Sequence, residues 1–133
     1  MAIQTDGGLG VAKKALIGDD LDVDGHISYQ TDISSKTSAY PIVDADNGSI
    51  LELGSGAAAG RTFTMPLMST LTSGWSIQVV NRSSFTITLT LNGTDSARDI
   101  FSEGATSPLL ETQYTGCTIY YDGSDFVAIG KLS

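Results

Sequence analysis

The sequence predicts an all-β fold: an antiparallel β-sandwich with jelly-roll connections, carrying an extended N-terminal arm. Three observations predict it. Short runs of alternating apolar and polar residues recur at a spacing of roughly 8–12 residues, as a series of half-buried strands requires. Turn sequences such as Asp46-Asn47-Gly48, Asn92-Gly93 and Asp122-Gly123 separate them, and no stretch sustains the apolar period of a three-turn helix. Two longer links, 54–60 and 92–107, favour Greek-key crossings over a simple meander.

Residues 1–36 form the expected arm. Gly7, Gly8, Gly10 and Gly18 interrupt short apolar pieces that include Leu9, Val11, Leu16 and Ile17, too short to hold a helix unaided. The stretch from Asp20 to Ile27 has two readings. Asp20, Asp22 and Asp24, followed by Gly25, match the opening ligands of an EF-hand calcium loop, but Thr31 stands where that loop needs a bidentate Glu. The favoured reading is a short hairpin turning at Asp24-Gly25, with His26 exposed in the turn and no metal bound.

Residues 37–133 form the expected sandwich domain. Its strands begin with Ser38–Val43, where Pro41 suits an edge, and Ser49–Leu53. Arg61–Met65 follows, ended by Pro66, and then Trp75–Asn81, opened by Gly74. The clearest strand is Phe85–Leu91, in which Phe85, Ile87, Leu89 and Leu91 share one face and three threonines the other. Pro108–Leu110, Gly116–Tyr121 and Asp125–Gly130 complete the set, the last two joined by a hairpin turn at Asp122–Ser124. The expected core is Leu51, Leu53, Phe63, Trp75, Ile77, Val79, Phe85, Ile87, Leu89, Leu91 and Ile119.

Composition narrows the function. A net charge of −8 and a pI near 4.2 argue against a nucleic-acid binder, which needs a basic stripe, and against an anionic membrane surface. The lone Cys117 rules out an internal disulfide and reads as a small buried apolar residue. One histidine, set apart in the arm, leaves no base for a Ser or Cys nucleophile. Glu52, Glu103, Glu111 and Asp125 stand singly beside turns or on wet strand faces, so paired-carboxylate chemistry is not expected. Gly54-Ser-Gly56 imitates a phosphate loop, but Arg61-Thr62 replaces Lys-Ser/Thr and no helix follows. No enzyme and no cofactor are expected. Tyr29, Tyr40, Tyr114, Tyr120 and Tyr121 leave one alternative, an aromatic sugar-binding face.

From Gly48 to Ile129 the sequence resembles a β-sandwich module of bacteriophage particle proteins. The shared phrases are Gly48–Leu53, Thr62–Leu67, Gly74–Asn81 and Tyr120–Gly130, and Leu21–Ile27 is similar to short units that punctuate phage fibres. The resemblance implies a virion structural protein made in the bacterial cytoplasm. It points to a homotrimeric cement or decoration protein that binds the major capsid protein on the outer surface of the head. A chain of an arm and one knob, without a fibrous shaft, fits cement better than fibre. Ile3, Leu9, Val11, Lys13, Lys14, Leu16 and Ile17 are the expected capsid-contact residues. The alternatives are a tail-fibre tip or small tail protein that binds host glycans through tyrosines or Trp75, and an unrelated carbohydrate-binding module.

Overall fold

The computed structural model describes residues 18, 24, 30–95, 100–101 and 108–132. Ten strands follow in chain order: β1 (Ile33–Lys36), β2 (Tyr40–Pro41), β3 (Ile50–Leu53), β4 (Arg61–Thr64) and β5 (Ser76–Asn81). Then come β6 (Ile87–Thr90), β7 (Ile100–Phe101), β8 (Leu109–Leu110), β9 (Thr115–Tyr121) and β10 (Phe126–Gly130). They build two sheets, ordered β1-β3-β5-β9-β10-β7 and β2-β4-β6-β8. Helical structure among the described residues is limited to three-residue 3₁₀ turns at Asp44–Asp46, Met68–Thr70 and Gly93–Asp95. The fold is all-β.

The chain path differs from the expected one. The first six strands alternate between the two sheets, and the first four each pair in parallel with the strand two places on: β1 with β3 with β5, and β2 with β4 with β6. The chain therefore winds in circuits, laying one strand in each sheet per circuit. Antiparallel pairing enters only with β5–β9, β9–β10 and β6–β8, while β10–β7 is parallel. Five of the eight pairings among the described residues are parallel, so the expectation of an antiparallel sheet, and of the antiparallel jelly-roll path through these strands, is corrected. A period of two reports that a strand has a wet face and a dry one; it carries nothing about the direction of the neighbour.

Both sheets feed one core. Leu51, Leu53, Val79, Ile119 and Phe126 from the larger sheet and Phe63, Ile87, Leu89 and Leu110 from the smaller are fully buried, with Trp75, Ile77 and Met65 nearly so. Burying each such side chain contributes roughly 1.5–3 kcal/mol, enough for the core to hold the circuits together without long helices. Trp75 and Tyr121 pack on Phe126, with ring centroids 6.1 and 5.6 Å away. Trp75 also donates its Nε1–H to the Asp44 carbonyl at 3.0 Å, which satisfies the indole within the core.

Two further expectations are corrected. Phe85 is 38 % exposed and lies outside β6, not in the core. The cause is local. Asn81 Nδ2 donates to the Phe85 carbonyl at 2.7 Å and the Phe85 N–H donates to Ser83 Oγ at 3.0 Å. These bonds hold residue 85 in the loop, so the strand begins at Ile87. β1, the edge strand of the larger sheet, ends at Lys36, so the last four residues of the expected arm pair with β3. Leu91 is partly buried against the core rather than fully inside it.

Candidate functional site

The residues singled out for capsid contact, Ile3, Leu9, Val11, Lys13, Lys14, Leu16 and Ile17, all lie outside the described residues. So do Asp20 and Asp22, while Asp24 is an exposed bend residue. Among the described residues no three His, Cys, Asp or Glu side chains gather into a set that could hold a metal. Cys117 is buried in β9, and loss of hydration pushes its thiol up to about 12. At that value it stays protonated near neutrality and packs as an apolar group.

The aromatic candidates separate in the structure. Trp75 and Tyr121 are buried, which removes Trp75 from any loop that could stack on a sugar. Tyr40 donates its hydroxyl to Asp46, 3.1 and 3.2 Å from the two carboxylate oxygens, and Lys36 Nζ stands 3.7 Å from its ring centre. Desolvation, and then the Asp46 charge and hydrogen bond, raise the Tyr40 phenol above its ordinary pKa. Asp46 also accepts the Val43 N–H at 2.8 Å, so this carboxylate serves to fix the turn after β2. Tyr114 alone of the described tyrosines projects freely, 76 % exposed on a backbone with φ +63°.

Buried polar chemistry concentrates at Asn81, which is fully buried at the end of β5. Its Nδ2 donates to the Phe85 and Leu110 carbonyls, each at 2.7 Å, and its Oδ1 accepts from the Ser83 N–H and Oγ–H, each at 3.0 Å. Both amide hydrogens and the amide oxygen are thereby used, and the end of the larger sheet is tied to β8 of the smaller one. The signal was present in the sequence: Asn81 continues the inward parity of Ile77 and Val79, so a polar residue had to find partners inside.

What the strands present to solvent is best seen on the two outer faces. On the smaller sheet Thr62 lies beside Thr88 and Thr64 beside Thr90, a threonine plate in which Thr90 Oγ1 donates to Thr64 Oγ1 at 3.4 Å. On the larger sheet one lateral row runs Ile33, Ile50, Gln78, Thr118, Ile129 across five strands in register. Ile33 and Ile129, at its ends, are each 63 % exposed. Among the described residues the one acid whose strand parity puts it on this face, Glu52, is buried and paired with Arg82 at 3.2 Å. Such a face can adhere to another surface. Scans against family models and against curated proteins find no match for this chain.

Proposed function

We propose that this chain is a phage virion structural protein of the cement or decoration kind. In this reading three copies associate and clamp neighbouring major capsid subunits on the outside of the assembled head. The sandwich-like meeting of two sheets is the part of the resemblance that the proposal keeps; a jelly-roll path is not needed for it. The phrases that carry the resemblance fall on β3, β4, β5 and the β9–β10 hairpin, the strands that make the shared core. The observation that carries the functional reading is the outer face of the larger sheet, whose central row is apolar at both ends and, among the described residues, nearly free of charge on an acidic chain. That composition suits a protein whose work is contact. A ligand that binds only the assembled shell stabilises it by mass action, and many identical sites multiply the effect.

A tail-tip protein that binds host glycans is the second reading, and exposed Tyr114 favours it. Co-sedimentation of labelled protein with phage heads lacking it, and in parallel with intact host cells, tests both. Saturable binding to heads at a stoichiometry set by shell symmetry is the expected result, and deletion of residues 1–18 should abolish it while leaving the copies associated. Binding to cells alone moves the protein to the tail tip; binding to neither overturns both readings.

A further inference from the structure

We infer that the outer face of the six-stranded sheet is a self-association surface, and that its occupant is a second copy of this chain. The inference rests on the reading above that this protein works by contact, and it assigns a face that pairs two copies rather than one that closes a three-fold ring. Alternation along each strand sets the outward residues, and the register aligns them. The central row is Ile33, Ile50, Gln78, Thr118 and Ile129; Val80 and Gly116 flank it on one side, Tyr120 and Val127 on the other.

Three features fit the row to a copy of itself. The first is charge. At −8, two copies repel wherever their acids meet, so they approach best through a face that has none unpaired. Among the described residues the one acid at an outward strand position is Glu52, already matched by Arg82. A foreign basic partner would be drawn to the acidic surface and gain nothing from this one. The second is pattern. The ends of the row are exposed isoleucines and its middle is an amide beside a hydroxyl. Gln78 and Thr118 each donate and accept, so each can bond to its like.

The third feature is relief. A shallow groove of about 230 Å³ runs between Val80, Gly116, Thr118 and Ile129. It exists because residue 116 has no side chain: a Cβ there would lie 2.9 Å from the Val79 carbonyl oxygen, so the strand itself demands glycine. An isoleucine from another copy is the right size and polarity to enter it. Five strands about 4.8 Å apart and three outward rows give a footprint of about 500 Å² per copy. Two such footprints total about 1,000 Å², where specific interfaces begin.

Light scattering after size exclusion, across a dilution series of the full chain, tests the inference with Thr118→Arg and, as a matched control, Thr88→Arg. Both residues sit on outer strand faces, so both variants should fold, which their urea midpoints will check. The wild type should be a multimer, Thr118→Arg should need about a hundredfold higher concentration to associate, and Thr88→Arg should behave as wild type. A monomeric wild type, or equal effects of the two arginines, overturns the inference. So does a monomer that begins to associate once residues 1–29 are deleted, because the chain's own N-terminus would then be the occupant. Running the head co-sedimentation on the same samples separates the two readings. Association through this face without head binding by any variant retires the cement reading and leaves the surface assigned.

Discussion

Between β9 and β10 the chain reverses through Asp122–Asp125 and pairs at once with the strand it has just left. Between β3 and β5 it leaves the sheet, lays β4 in the other sheet, and returns to pair in parallel. The hairpin is fixed by local chemistry. The Asp122 carboxylate accepts the Ser124 and Asp125 N–H groups at 2.8 and 2.9 Å, and the Asp125 and Ser124 amides hold its pKa below the ordinary value. Nothing so local fixes the circuits. Their register comes from side chains that must all reach one core, and from polar groups such as Asn81 that close the corners. Loop closure costs more for each circuit than for the hairpin, so the stack depends more on packing. Joined through β5–β9, the two regions should nevertheless unfold together.

The largest test of that joint behaviour is Phe126→Ala beside its counterpart Phe63→Ala. Phe126 lies in the hairpin and Phe63 in the circuits, and both are fully buried. Each truncation should cost about 3–5 kcal/mol, read as a lowered urea midpoint with an unchanged slope. Trp75 fluorescence and far-ultraviolet circular dichroism should move together. Separate transitions for the two probes would break the molecule into a hairpin and a stack with independent stabilities.

Next in size is Asn81→Leu, which removes the bonds to Phe85, Leu110 and Ser83 while keeping the bulk. The buried Leu110 carbonyl loses its donor and the buried Ser83 N–H its acceptor, at about 1–3 kcal/mol each. The Phe85 carbonyl keeps Ser83 Oγ at 3.0 Å, and the buried leucine returns part of the cost, so a net loss of about 2–4 kcal/mol is expected in the same urea titration. Hydrogen exchange should quicken first in β8 and residues 82–86, at the end of the stack, and last in the β9–β10 hairpin. Uniform acceleration over all strands would mean that Asn81 holds up the whole fold and not one corner of it.

The same contrast explains what the sequence could tell. The Asp122–Ser124 turn and the alternation of β9 and β10 were legible because a hairpin writes its register into adjacent residues. Leu51, Leu53, Ile77, Val79, Ile87 and Leu89 were legible as buried for the same reason, one strand at a time. That β3 lies parallel to β1 and β5 was not. Which strand neighbours which, and in which direction, is a property of segments a circuit apart, and period-two patterning is blind to it. Phe85 failed for a smaller reason: three side-chain hydrogen bonds with Asn81 and Ser83 outweigh seven residues of perfect alternation. The outer row from Ile33 to Ile129 was invisible in the same way as the parallel pairing, because it exists only once five strands are aligned.

The smallest effect belongs to the ion pair of the stack, Arg82 with Glu52. Arg82 is about half exposed, with 52 % of its side chain accessible, so water and salt screen the pair. Its backbone is busy in ways a substitution leaves alone: the N–H donates to the Leu53 carbonyl at 3.0 Å, and the carbonyl accepts from Gln113 Nε2 at 2.9 Å. Arg82→Ala therefore deletes the ion pair and little else, and should cost at most about 1 kcal/mol, shrinking further in high salt. The contact is made by a single nitrogen, Nη1, 3.2 Å from each carboxylate oxygen, and not by the two-pronged guanidinium fork. An ammonium can fill that role, so Arg82→Lys should unfold at the wild-type midpoint. If lysine costs as much as alanine, the guanidinium is bonding to something besides Glu52, and the corner between β3 and β5 is tied more tightly than this pair alone provides.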